Sequence, residues 1–103
     1  MKNEATNLYL NRMINELYKI LAMKDEEDFT LPKYIDSVYI QLVGGAENFP
    51  ELQTNQKYVS IIKIIQYFRT NEFDKQLCKR EILKCTNLLA KLSLKDKEVD
   101  YGY

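Results

Sequence analysis

The sequence predicts an all-α protein, an antiparallel up-down-up-down four-helix bundle with a short C-terminal tail, built as a single domain over residues 1–103. Three observations carry this prediction. Apolar residues recur at spacings of three and four in four separate segments, which is the period of one helix face. The three breaks between these segments are short, and short connections favour antiparallel neighbours around one common core. Only three Gly and two Pro occur in 103 residues, so few positions interrupt the helical pattern. A chain of this length buries roughly 60–70% of the surface its unfolded form exposes, enough for one core and no second domain.

The first helix is expected over about residues 6–23. Leu10, Met13, Ile14, Leu17 and Leu21 share a face, and Asn11, Arg12, Asn15, Glu16 and Lys19 fill the other. Thr6 or a neighbouring Asn is suited to cap it, and the acidic run Lys24-Asp25-Glu26-Glu27-Asp28 ends it. A second helix is expected over about 30–43, with Thr30 as cap and Pro32 in the first turn, where a missing backbone N–H costs nothing. Its inner face is Leu31, Ile35, Val38, Tyr39 and Leu42, and Gly44-Gly45 is read as its stop. The following loop, Ala46 to Pro50, carries Phe49, which is placed to fold back on the core.

The third helix is expected from Glu51 or Asn55 to Thr70, with a wide apolar sector of Tyr58, Ile61, Ile62, Ile64, Ile65 and Phe68 that calls for more than one packing neighbour. Its β-branched residues would suit a strand, but the run is long and lacks strict alternation, so helix is preferred. A fourth helix is expected over 74–93, capped by Asp74, with Cys78, Ile82, Cys85, Leu89 and Leu92 inside. Residues 94–103 are read as a polar tail ending in Tyr101 and Tyr103.

Composition narrows the function. With no His in the chain, serine-type triads, Cys-His dyads and classical zinc sites are excluded, and an enzyme is not expected. Fifteen Lys plus Arg balance fifteen Asp plus Glu, which argues against a dedicated nucleic-acid binder. No cofactor is expected. The acidic run at residues 25–28 lacks the alternating ligands and turn glycine of a calcium loop and is read as a solvated linker. Cys78 and Cys85 stand seven apart on one helix, so their α-carbons are roughly 10 Å apart and beyond disulfide reach. They read as small apolar core residues. Neither the N-terminal residues nor Val59 to Ile65 form a signal peptide or a spanning segment, so a cytoplasmic protein is expected.

One feature stands out of this balance. On a helix turning about 100° per residue, Arg80, Lys84, Lys91 and Lys95 fall within about 60° of one another, beside Leu77 and Leu88. A solvated face is the bland reading of such a ridge. The functional reading is a docking surface for an acidic partner or an anionic membrane face. Of the eight tyrosines, Tyr39 and Tyr58 fall in core stripes, and Tyr9, Tyr18, Tyr34 and Tyr67 at the edges of stripes or opposite them. Tyr101 and Tyr103 end a polar tail with no packing reason to be aromatic, so they either fold back onto the bundle or wait for a partner. A DNA-binding helix-turn-helix across Thr70 to Phe73 is disfavoured, because the ridge adjoins the buried stripe and does not sit at the helix start.

Taken in order along nearly the whole chain, Ile14-Asn15-Glu16-Leu17-Tyr18, Val38-Tyr39-Ile40-Gln41-Leu42, the long apolar third helix ending at Thr70-Asn71, and Asp100-Tyr101-Gly102 resemble the enterocin A type immunity proteins. These are the immunity proteins of pediocin-like, class IIa bacteriocins. The resemblance implies a cytosolic four-helix bundle, not an enzyme, that protects a Gram-positive cell from a pore-forming peptide. Its implied partner is the mannose-type phosphotransferase permease with bound bacteriocin, with peripheral contact at the inner membrane face and no nucleic acid. It also implies that the C-terminal half selects which bacteriocin is resisted. Arg80, Lys84, Lys91, Lys95, Tyr101 and Tyr103 are therefore the expected recognition residues. The alternative is a small helical adaptor or regulator that binds another protein or DNA.

Overall fold

A computed structural model describes the backbone of residues 4–100 and the side-chain surroundings of residues 4–93. The described residues form helices and no strand: α1 (Glu4–Asp25), α2 (Leu31–Asn48), the single turn α3 (Pro50–Gln53), α4 (Gln56–Thr70) and α5 (Lys75–Asp100). Each long helix packs on two others, α1 on α2 and α5, and α4 on the same pair, with α1 against α5 the most extensive pairing.

Side-chain contacts fix the directions. Tyr9 reaches Gln41 and Tyr34 reaches Glu16, so α1 and α2 run antiparallel. Tyr58 reaches Leu42 and Arg69 reaches Asp36, which gives the same relation between α2 and α4. The body measures 46 × 24 × 19 Å.

The periodic stripes became the core. Leu10, Met13, Leu17, Ile35, Val38, Leu42, Tyr58, Ile61, Ile65, Cys78, Ile82, Cys85 and Leu89 are all buried, while Ile14, Leu21, Tyr39, Ile62 and Ile64 pack against them partly exposed. Each fully buried Leu, Ile or Val contributes about 1.5–3 kcal/mol relative to exposure. Capping follows local chemistry at two starts. The Asp74 carboxylate accepts from the Leu77 N–H at 2.8 Å, and the Asn55 side chain accepts from the Tyr58 N–H at 3.1 Å. Thr6, by contrast, lies inside α1, buried, and donates to Glu51 across 2.8 Å. Thr30 occupies the N-cap position of α2, but its hydroxyl donates to Asp28 at 2.6 Å and makes no capping bond.

The end of α2 differs from expectation. The helix α2 does not stop at Gly44-Gly45; it continues to Asn48 and ends where Phe49 turns extended (φ −125°, ψ 89°) before Pro50. Proline disfavours helical backbone in the residue before it, and this is the stronger stop signal here. Gly45 serves packing instead: a β-carbon there would overlap the Tyr9 hydroxyl and lie 2.6 Å from that of Tyr58. The third helix begins at the later of its two expected starts, with Asn55 opening α4, while Pro50–Gln53 forms the separate turn α3 that buries Leu52.

The helix α5 runs on to Asp100, where a polar tail was expected from residue 94. No Gly or Pro interrupts residues 94–100, and Leu, Lys and Glu are good helix formers. Polarity alone did not mark the end of the helix.

Candidate functional site

Four of the six expected recognition residues, Arg80, Lys84, Lys91 and Lys95, belong to α5, and the side-chain surroundings of the first three are described. Arg80, Lys84 and Lys91 are exposed along one side of the helix, whose buried stripe is Cys78, Ile82, Cys85, Leu89 and Leu92. The side chain of Lys95, and Tyr101 and Tyr103 as a whole, lie outside the described residues. The three described cations thus share a face as their spacing required. Arg80 is not free: its Nε donates to the Glu81 carboxylate at 3.1 Å, with the arginine side chain 73% exposed. An exposed pair of this kind is worth about 0.2–1 kcal/mol and exchanges readily for another anion. Lys84 and Lys91 carry the less encumbered charge.

A feature that the sequence alone did not supply lies beside the ridge. Leu77 and Glu81 of α5 face Lys63, Ile64 and Tyr67 of α4 across a shallow groove of about 300 Å³. Tyr67 is 46% exposed, an apolar ring left at the groove wall. At its Arg80 end the ridge therefore adjoins a two-helix surface of leucine, isoleucine and tyrosine, with Lys63 on the α4 side. Its signal in the sequence was the i, i+4 pair Lys63 and Tyr67 flanking Ile64, which becomes informative only once α4 is known to lie against α5.

Cys78 and Cys85 are free and buried. Burial pushes the Cys78 thiol up to about 11 and the Cys85 thiol up to about 12, so both stay protonated at neutral pH and are poor nucleophiles.

The buried tyrosines form a structural cluster. Tyr9 Oη donates to the Gln41 carbonyl at 2.8 Å and lies 2.8 Å from Tyr58 Oη, which donates to the Leu42 carbonyl. Each hydroxyl gives its one proton to a carbonyl of α2, and the two oxygens meet between α1 and α4, which ties the three helices together around Gly45. Burial raises the pKa of both hydroxyls. Burial and then the Glu16 carboxylate, to which it donates, raise that of Tyr34. Phe49 does fold back, its ring centre 5.3 Å from that of Tyr9.

Among the described residues, no group of three or more His, Cys, Asp or Glu stands close enough to hold a metal ion, and no helix is long and apolar enough to cross a membrane. Comparison of the chain with protein-family models, curated proteins and solved structures finds no match.

Proposed function

We propose that this chain is an up-down-up-down four-helix bundle that acts as a bacteriocin immunity protein of the enterocin A type. In this reading it protects a Gram-positive cell from a pediocin-like pore-forming peptide. It works from the cytosol on the mannose-type phosphotransferase permease once the bacteriocin has engaged it, blocking or locking the opened complex.

The observation that supports this reading is the exposed row of Arg80, Lys84 and Lys91, whose Arg80 end adjoins the α4–α5 groove, in the C-terminal half that decides specificity in the resembling family. An apolar strip edged by cations suits an acidic protein face at a membrane. Each cation near anionic lipid adds about 1 kcal/mol of attraction, so three give weak attachment that fades with salt. Lys95, Tyr101 and Tyr103 extend the same proposed surface along the chain.

The test is the double variant Lys84→Glu, Lys91→Glu in a sensitive cell protected by the wild-type chain. Both lysines are exposed, so each change should alter stability by no more than about 0.5 kcal/mol. Protection should fall while the circular dichroism spectrum and melting temperature hold. Undiminished protection by the folded variant would remove the ridge from the mechanism and place the recognition surface on another face.

A further inference from the structure

The end of the molecule where the α1–α2 and α4–α5 turns meet carries a cleft of about 830 Å³. Leu31, Ile35, Phe68 and Phe73 supply its apolar walls, with the Phe68 and Phe73 rings 4.5 Å apart. Beside it stands Phe29, 91% exposed, between the cleft residues Asp28 and Leu31. An aromatic ring so fully in water, next to an aromatic-lined hollow it does not fill, is the least satisfied apolar group among the described residues.

Phe29 is held in place, not left on a loose loop. The α1 C-terminus closes with Asp28 N–H to the Met23 carbonyl at 2.9 Å and Glu27 N–H to the Lys24 carbonyl at 3.1 Å. Glu27 takes the left-handed conformation (φ 55°) that this closure needs. Asp28 then accepts from both the N–H and the hydroxyl of Thr30 at 2.8 and 2.6 Å, and the Leu31 N–H bonds back to the Asp28 carbonyl at 3.1 Å. None of these bonds requires an aromatic side chain at position 29.

We propose that two copies of this chain pair end to end about a two-fold axis, each Phe29 seated in the cleft of its partner. A knob and a hollow on one face are self-complementary, which is what a two-fold contact demands. A different molecule in the cleft would fill the hollow and leave Phe29 in water, whereas a second copy covers both at once.

The end face is set by the 24 × 19 Å cross-section, so the pair covers about 800–1,200 Å² in total, the size of a weak, reversible contact. Five carboxylates (Glu27, Asp28, Asp36, Glu72, Asp74) and three cations (Lys24, Arg69, Lys75) line each cleft. Two rims with the same acidic excess repel mildly, so pairing tightens as salt screens them. The pairing stands independently of the bacteriocin reading.

Sedimentation of the full chain from about 10 μM to 1 mM brackets the affinity expected for a contact of this size. The wild type should shift from monomer to dimer, more tightly at high salt than at low, with amide NMR shifts centred on residues 28–32 and 68–74. Phe29→Ser, at a position 91% exposed, should keep the fold and weaken pairing at least tenfold, and Phe29→Trp should retain it. A monomer throughout, equal pairing by Phe29→Ser, weakening with salt, or shifts centred on the α5 ridge would each overturn the proposal. A monomer that instead binds a cationic peptide in the cleft would assign the hollow to that other partner.

Discussion

Replacing Gly44 and Gly45 by alanine one at a time should move stability in opposite directions, although the two residues are adjacent in one helix. At Gly44 a β-carbon meets nothing within 4 Å. The substitution there removes only the entropic cost of an interior helix glycine and should stabilise by about 0.5–1 kcal/mol. At Gly45 the same carbon overlaps the Tyr9 hydroxyl and crowds that of Tyr58. Relieving the overlap displaces hydroxyls that bond to the Gln41 and Leu42 carbonyls, and Tyr58 is fully buried, so its hydroxyl finds no water.

Overpacking costs about 1–3 kcal/mol, an unpaired buried hydroxyl a similar amount, and the gain in helix propensity returns about 1. The net expectation for Gly45→Ala is a loss of about 2–4 kcal/mol. Urea and thermal denaturation followed by far-UV circular dichroism read this directly. In a domain of this size each kcal/mol moves the melting temperature by roughly 4–8 °C. Because the added β-carbon also overlaps the Tyr9 ring carbon Cζ, Tyr9→Ala should cost less in the Gly45→Ala background than in the wild type, a coupling absent between Tyr9→Ala and Gly44→Ala. Equal effects of the two alanines, or destabilisation by Gly44→Ala, would refute the packing role of Gly45 and restore the pair as a helix stop.

Three further outcomes are expected. Glu27→Gly should stabilise by about 1 kcal/mol in urea titration, because it relieves the left-handed backbone (φ 55°) and gives up only an exposed 3.7 Å pair with Lys75. Asp74→Ala should cost about 1 kcal/mol by removing the bond to the Leu77 N–H at 2.8 Å, with Asp74→Asn retaining most of it. Stability should fall in alkali: Cys85 has its thiol pKa raised from 9.0 to about 12, so above pH 9 the unfolded chain loses a proton that the folded chain keeps. That group alone should withdraw about 2–3 kcal/mol by pH 11. The raised hydroxyls of Tyr9, Tyr34 and Tyr58 act in the same direction above pH 10. Flat stability from pH 8 to 11 in a chemical denaturation series would contradict the burial of these groups.

How much of this was legible in the sequence depended on distance along the chain. The α5 stripe from Cys78 to Leu92 is buried as its spacing required, since burial of a helix face is written in a three-and-four period. The exposed face of Arg80, Lys84 and Lys91 followed from the same arithmetic. Gly44-Gly45 misled because glycine carries two meanings, backbone freedom at a helix end and room for a neighbour; only the approach of Tyr9 and Tyr58 from two other helices selects the second. The α4 wall of the groove and the end cleft were equally hidden. Tyr67 and Leu77, or Leu31 and Phe73, belong to different segments and become neighbours only through the packing of helices. The polar stretch after residue 93 was read by its charge, while its backbone propensity was the better guide.

Cell survival tests the proposed immunity function most directly. A bacteriocin-sensitive Gram-positive strain expressing this chain in its cytosol would be challenged with a panel of pediocin-like peptides, with the folded protein verified in the same cells. The account predicts selective protection, strong against one or a few peptides and absent against the rest, and reduced when the chain is cut after Val99. Equal killing of expressing and control cells by every peptide in the panel would contradict it.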